Sequence, residues 1–306
     1  MQAALDVNPA TRPNAAAAAT GPAIDVAQAR PRTPWGRWAA NALVALLAVQ
    51  ALVFLATNPR LEWAVVAEHL TGPAVLSGLG VSVLLTAVSM SLGTLIGTVL
   101  ALMKLSGFAT ARAVAGFYTW LFRGTPLLIQ LLAWYNLAYL VPRLSIGLPF
   151  GPEWASWDTN EVITPFVAAV LGLALNEAAY MAEIMRAGIL SVDPGQRDAA
   201  RALGFTPART FRRIVFPQAM RIVLPPAGSQ VIGMLKGTSL VSVIAMTDLL
   251  FSVQTIYNRN FKVVPLLLVA VVWYLVVFSG LSLVQRRLEA HFGRGHQAAA
   301  TAARTR

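Results

Sequence analysis

The 306-residue sequence contains no cysteine, which excludes a disulfide framework and any thiolate metal site. Histidine is nearly absent as well. His69, His291 and His296 all lie outside the apolar runs, and there is no HExxH. An intramembrane enzyme of the usual serine or zinc type would therefore lack its base or ligand. Charge is the third shortage. Only 12% of residues are Asp, Glu, Lys or Arg, against 57% apolar, with a mean hydropathy of +0.62; an ordinary soluble chain carries about 25% charged residues. A nucleotide-binding P-loop is missing too. GSQVIGMLK, 228–236, has two glycines at P-loop spacing, but Met234 stands where the lysine must be.

What is present is apolar length. The run 38–57, WAANALVALLAVQALVFLAT, matches the roughly 20 residues that a helix needs to cross hydrocarbon. It is long for a cleaved signal sequence and far from the N-terminus, so it is expected to be an uncleaved transmembrane helix. Residues 1–37, rich in Ala and Pro with Arg12, Arg30, Arg32 and Arg37, predict a disordered tail. Leu61, Val65, Val66 and Leu70 are spaced for a short interfacial helix within 58–70. Further spans are expected over 74–103, 113–141, 163–190, 219–246 and 264–285, followed by a basic tail over 291–306. Gly93 and Gly97 form a small-xxx-small pair suited to close helix packing. Pro126, in FRGTP, predicts a break or bend in the 113–141 segment. Residues 142–162, with several Pro and Gly plus Glu153, Asp158 and Glu161, predict an external loop.

The charges give an orientation. Of 24 Lys and Arg, only Arg60, Arg143, Arg259 and Lys262 fall on one side of the six expected spans, and Lys236 falls within a span. All the others fall on the opposite side, which predicts that both termini are cytoplasmic. The net charge of +11 is thus explained by topology and does not call for a nucleic-acid partner.

The cytoplasmic loop at 191–218 reads as two short helices. Asp193 can cap, Pro194 suits the first helical position, and Gln196 can reach back as in a capping box. Gly204 can end the first helix, Thr206 and Pro207 repeat the start signal, and Pro217 is expected to end the second. A DNA-reading helix-turn-helix would need a third helix and a core that about 25 residues between two spans do not supply. Capped helices also exceed what a merely solvated basic loop requires. The segment is expected to dock a partner.

Within it, Asp198, Ala199 and Ala200, then Gly204, then Ile214, Phe216 and Pro217 resemble the EAA-x3-G-x9-I-x-L-P pattern of ABC-importer membrane subunits, with Asp for Glu and Phe for Leu. FRGTPLLIQ (122–130), AAYMAEIMRAGILSVDPGQ (178–196), FPQAMRIVLPP (216–226) and KGTSLVSVI (236–244) are similar to the polar amino-acid importer permeases. Gly237 stands where that branch has Asp. The resemblance implies an all-α membrane protein, a polytopic bundle with a five-helix permease core over 72–290 plus one added N-terminal helix. It implies coupling through 193–217 to a separate ATPase that carries ATP and Mg, with no enzyme activity or cofactor in this chain. It further implies an extracytoplasmic solute-binding protein, a homodimer or a heterodimer with a second permease, an amino-acid substrate, and the bacterial inner membrane. An importer of another small solute is the alternative. An ion-coupled secondary transporter fits less well, since the halves show no mutual similarity.

Polar groups at bilayer depth are costly and invite a transport role. Asn176, Tyr180 and Glu183 share one helix face, with Glu177 beside them; Gln130 and Asn136 lie on the preceding span, and Gln230, Lys236, Thr238 and Ser239 on the following one. All are candidates for a substrate pathway. The competing readings are helix-to-helix hydrogen bonding, an ion pair of Glu183 with Arg186, and snorkelling of Arg123 to the inner interface.

Overall fold

The computed structural model describes residues 35–148 and 152–304, with side chains described as far as 291. Most of the tail expected over 1–37, and part of that expected over 291–306, lies outside these limits. The chain divides into two units, up to Asn58 and from Pro59 onward. The first contains α1, Trp35–Thr57, whose side chains are all exposed. A helix this apolar with no covered face is a lipid-facing one.

The second unit opens with a 3-10 turn, Pro59–Leu61, and the short α2, Trp63–Leu70. Pro73 then starts α3, Pro73–Leu105, at its first position, where the missing amide hydrogen costs nothing. α4, Ala109–Gly124, and α5, Leu127–Tyr135, are the two halves of the segment expected over 113–141, separated at Thr125 and Pro126. After α6, Leu137–Leu140, the expected external loop contains a hairpin of antiparallel β1, Arg143–Gly147, and β2, Glu153–Asp158. Neither strand alternates between buried and exposed side chains, so sequence periodicity carried no strand signal. The short α7, Thr159–Val162, leads to α8, Pro165–Leu190, which Thr164 caps by accepting from Val167 N.

The loop after α8 forms α9, Pro194–Ala202, and α10, Pro207–Thr210. A π-turn, Phe211–Val215, runs straight into α11, Phe216–Gly237. Pro217 therefore does not end the helix as expected. Phe216 N donates to Phe211 O, five residues back, and this widened turn admits a proline that would clash in a regular α-turn. A 3-10 stretch, Thr238–Ile244, follows α11. α12, Leu249–Asn260, lies where only a connection was expected, capped by Asp248 through Phe251 N at 2.8 Å and Leu250 N at 3.2 Å. α13, Val263–Arg304, extends well past the expected span end at 285.

Among the described residues, four helices are long and apolar enough to cross a membrane: Trp35–Thr57, Pro73–Leu105, Pro165–Leu190 and Val263–His291. The stretch Pro207–Ile244 with Leu249–Asn260, bent by 46°, makes a fifth when taken as one crossing. α3 and α8 form the most extensive pairing. A Cβ on Gly97 would lie 2.7 Å from Met181 Cβ and 2.8 Å from Ala178 O, so only glycine permits this approach. Leu85, Leu131, Leu173, Val241 and Ile244 fill the core where α3, α5, α8 and the 3-10 stretch meet. A second core joins α2, α3, α12 and α13 through Val66, Val75, Leu249, Val253 and Leu266.

Candidate functional site

The polar centre of the bundle is built around the break before Pro126. Proline has no N–H, so the Phe122 carbonyl four residues earlier loses its helical donor. Side chains replace it. Gln130 Nε2 donates to Phe122 O at 2.9 Å, Thr125 O at 3.1 Å and Thr125 Oγ1 at 2.8 Å. Asn176 Nδ2, from α8, donates to the same Phe122 O at 3.0 Å and to Gln130 Oε1 at 3.2 Å. Gln130 and Asn176 thus brace the break, while Asn136 turns back to Leu132 O on its own helix at 2.8 Å.

Beside Asn176, the Glu177 side chain points toward α3 and α11 and is 5% exposed. Gly93 makes its room, since a Cβ there would be 2.9 Å from Glu177 Cβ. Gln230 Nε2, on α11, donates to both carboxylate oxygens at 3.2 and 3.3 Å. No cation among the described residues is ion-paired with Glu177. The carboxylate borders a cavity of about 200 Å³ lined also by Leu127, Asn176, Tyr180, Gln230, Gly233 and Gly237. Tyr180 also borders a second cavity of about 400 Å³, with Gly116, Thr119, Trp120 and Arg123. The guanidinium of Arg123, an exposed residue, lies over the Tyr180 ring, 5.5 Å from its centroid, in a cation–π arrangement. One aromatic residue therefore borders both a carboxylate pocket and a guanidinium pocket.

The other candidates lie elsewhere. Glu183 binds Lys104 Nζ at 2.5 Å and Arg186 at 2.9 Å, and Lys104 also donates to Thr119 Oγ1 at 2.6 Å, joining α3, α4 and α8. Lys236 and Ser239 line an apolar cavity of about 440 Å³ with Val271, Tyr274, Leu275 and Phe278. Thr238 is buried and donates to Leu235 O at 2.8 Å. Helix geometry explains the separation: Gln230, Gly233 and Gly237 share the α11 face toward Glu177, and Lys236 is turned off it. Lys104 and the Arg123–Tyr180 contact were missed from sequence, because each joins residues at least 57 positions apart.

The second candidate site is the loop after α8. Asp193 Oδ1 accepts from Gly195 N at 2.6 Å; the expected capping box is not closed by Gln196, because the cap is made one residue earlier. At the other end of α9, Gly204 has φ +74°, Gly204 N donates to Arg201 O at 2.9 Å, and Phe205 N to Ala200 O at 3.0 Å. This is a Schellman stop, which needs the left-handed residue that glycine supplies. Thr206 caps α10 through Arg209 N at 3.4 Å. Ala200 is buried, whereas Asp198, Ala199, Gly204 and Pro217 are exposed and Ile214 is half-buried. Arg197 anchors α9 by donating to Ile189 O, near the end of α8, at 2.6 Å. Leu203, 76% exposed at the turn, is an apolar tip that motif spacing did not single out.

The profile of binding-protein-dependent transport system inner membrane components matches residues 93–294. The chain is 40% identical over 291 residues to the arginine transport system permease protein ArgU of Corynebacterium glutamicum, covering 92% of this chain and 90% of that protein. It is 39% identical over 206 residues to the octopine transport system permease protein OccM of Rhizobium radiobacter, covering 67% and 80%. A crystal structure of an amino acid ABC transporter with histidines superposes with a TM-score of 0.61 at 36% identity, covering 72% of this chain and 94% of that one. The chain belongs to the binding-protein-dependent transport inner-membrane components, the multi-pass, non-enzymatic permease subunits of ABC importers that work with separate ATPase and binding-protein partners.

Proposed function

We propose that the chain is the permease through which an amino acid, received from an extracytoplasmic binding protein, crosses the bacterial inner membrane. Two permeases, identical or related, would assemble with two ATPase subunits that hold ATP and Mg. Each permease would have six spans and cytoplasmic termini. The α9 crest, with Asp198, Ala199 and Leu203 exposed around the Schellman turn, is the surface offered to the ATPase, together with Gly204 and the exposed Pro217; Ala200 and Ile214 face inward behind it. The names of the relatives, which transport arginine and octopine, support a substrate with an amino-acid head and a cationic group.

One observation carries the substrate reading: Glu177 is a buried carboxylate with an amide as its partner, and Tyr180 links its cavity to that of Arg123. A charge at this depth lacks the counter-ion that would stabilise it. An amino acid supplies one, with its cationic group at Glu177 and its carboxylate toward Arg123. Asn176 and Gln130 hold the lining in place, and Gln230 orients Glu177. Glu183, Lys236, Thr238 and Ser239 lie away from this contact and serve packing or later steps of the path. Uptake of labelled arginine into vesicles bearing the whole transporter tests this. A charge-assisted contact is worth about 1.5–3 kcal/mol, so Glu177→Gln should lower uptake about ten- to a hundredfold at fixed substrate. Unchanged uptake in that variant, with the ATPase still bound, would overturn the assignment.

A further inference from the structure

Arg209, Arg212 and Arg213 line one concavity of about 450 Å³ together with Ala208. Their spacing, i, i+3 and i+4, places all three on one side of the α10 and π-turn segment. All three are exposed, and none is ion-paired among the described residues. Arg209 is held from behind by the Phe205 ring, 5.5 Å from its guanidinium carbon.

The neighbouring side of the same segment is aromatic. Phe211 and Phe216 stand with their ring centroids 6.2 Å apart, and both are exposed, as is Ile222 further along α11. The π-turn accounts for this pairing, because residues five apart come into line when a turn is widened. From Ile222 to Gly228 α11 carries no charged residue, and it belongs to the bent stretch long and apolar enough to cross the membrane. An exposed pair of phenylalanines at the foot of a crossing helix belongs at the acyl boundary, and the arginines beside it then sit at headgroup depth.

We infer that this cradle binds the phosphate of an anionic phospholipid, with Phe211 and Phe216 against its acyl chains. Guanidinium groups take a phosphate through paired N–H donors, and three of them unneutralised on one face complement one or two negative charges. Two other occupants would use the same arginines: a soluble phosphate compound and an acidic face of the ATPase. The aromatic pair favours the lipid, since it gives apolar contact that neither requires.

Native mass spectrometry of the purified full chain, equilibrated with equal parts of phosphatidylglycerol and phosphatidylcholine, tests the inference. The chain should retain phosphatidylglycerol preferentially. The double variant Arg212→Ala/Arg213→Ala should lose about thirtyfold of that preference, from about fivefold for each arginine near an anionic surface. Arg212→Lys/Arg213→Lys should keep an intermediate preference, because charge remains but the paired donors do not; circular dichroism establishes that both variants are folded. Equal retention of the two lipids by the parent chain overturns the proposal. So does release of phosphatidylglycerol by millimolar inorganic phosphate at constant ionic strength, which would point to a soluble phosphate. Loss of ATPase co-purification in the alanine variant with lipid preference intact would assign the arginines to the protein partner instead.

Discussion

Replacing Gly97 by alanine tests the closest helix contact in the bundle. The new Cβ would sit 2.7 Å from Met181 Cβ, 2.8 Å from Ala178 O and 3.0 Å from Ala182 N. Carbon atoms not bonded to one another rest about 3.5–4.0 Å apart, so the shortfall against Met181 is about 0.8–1.3 Å. Two of the three obstructing atoms are backbone and the third is a Cβ, so no rotamer change relieves the clash. α3 must move off α8, and one turn away the same movement loosens Gly93 from Glu177. Overpacking of this kind costs about 1–3 kcal/mol. In a chain of this size each kcal/mol lowers the melting temperature by about 2–4 °C. Thermal unfolding of the detergent-purified chain should therefore fall by several degrees. Gly116→Ala is the control, because nothing lies within 4 Å of its Cβ and it sits inside α4; it should be neutral or stabilising by up to about 1 kcal/mol. If Gly97→Ala melts with the parent, or if Gly116→Ala is equally harmful, the close-contact argument is wrong.

Three other perturbations have definite expectations. Glu183→Gln leaves Lys104, whose side chain is 15% exposed, with only Thr119 as a strong partner. It should cost about 1–3 kcal/mol in thermal unfolding, less than a fully buried broken pair, and Lys104→Met/Glu183→Met should recover most of the loss. Asp248→Ala removes the cap on α12 and should cost about 1 kcal/mol, with faster amide exchange at Leu250 and Phe251, whereas Asp248→Asn should keep most of the protection. Gly204→Ala forces a side chain into φ +74° in open space, a conformational cost of about 1–2 kcal/mol. It should weaken capture of the ATPase subunit in a pull-down, with Gly204→Asn less affected; equal capture by all three chains would remove this turn from coupling.

Features set by a few neighbouring residues were legible in the sequence. The Asp193 and Thr206 caps, the Gly204 stop and the Pro126 break each follow from a local backbone requirement. Gly93 and Gly97 announced a close contact, although only the structure identified α8 as the partner. Pro217 misled because the local rule for proline assumes an α-turn before it, and the π-turn relieves the clash. α12 was missed together with its Asp248 cap, because Arg259 and Asn260 gave its end the composition of a connection. The grouping of Glu177 with Gln230 and Gly93, and of Lys104 with Glu183, depends on three separate helices meeting, which no periodicity within one of them records. The end of α11 was the ambiguous element: Lys236, Thr238 and Ser239 were candidates by polarity alone, but Lys236 is turned off the Glu177 face and Thr238 and Ser239 fall on the 3-10 stretch beyond it.

The bond from Asn176 to the Phe122 carbonyl ties a joint to a lining. A chain broken at proline would ordinarily swivel freely, but here the joint is held by a donor that sits on α8 next to Glu177. Turning α8 enough to reposition the carboxylate must therefore drag or release the amide that clasps the break. The two half-helices are thus linked to the helix that carries Glu177, so any movement of α8 at this level is felt at the junction of α4 and α5 without any additional contact between them.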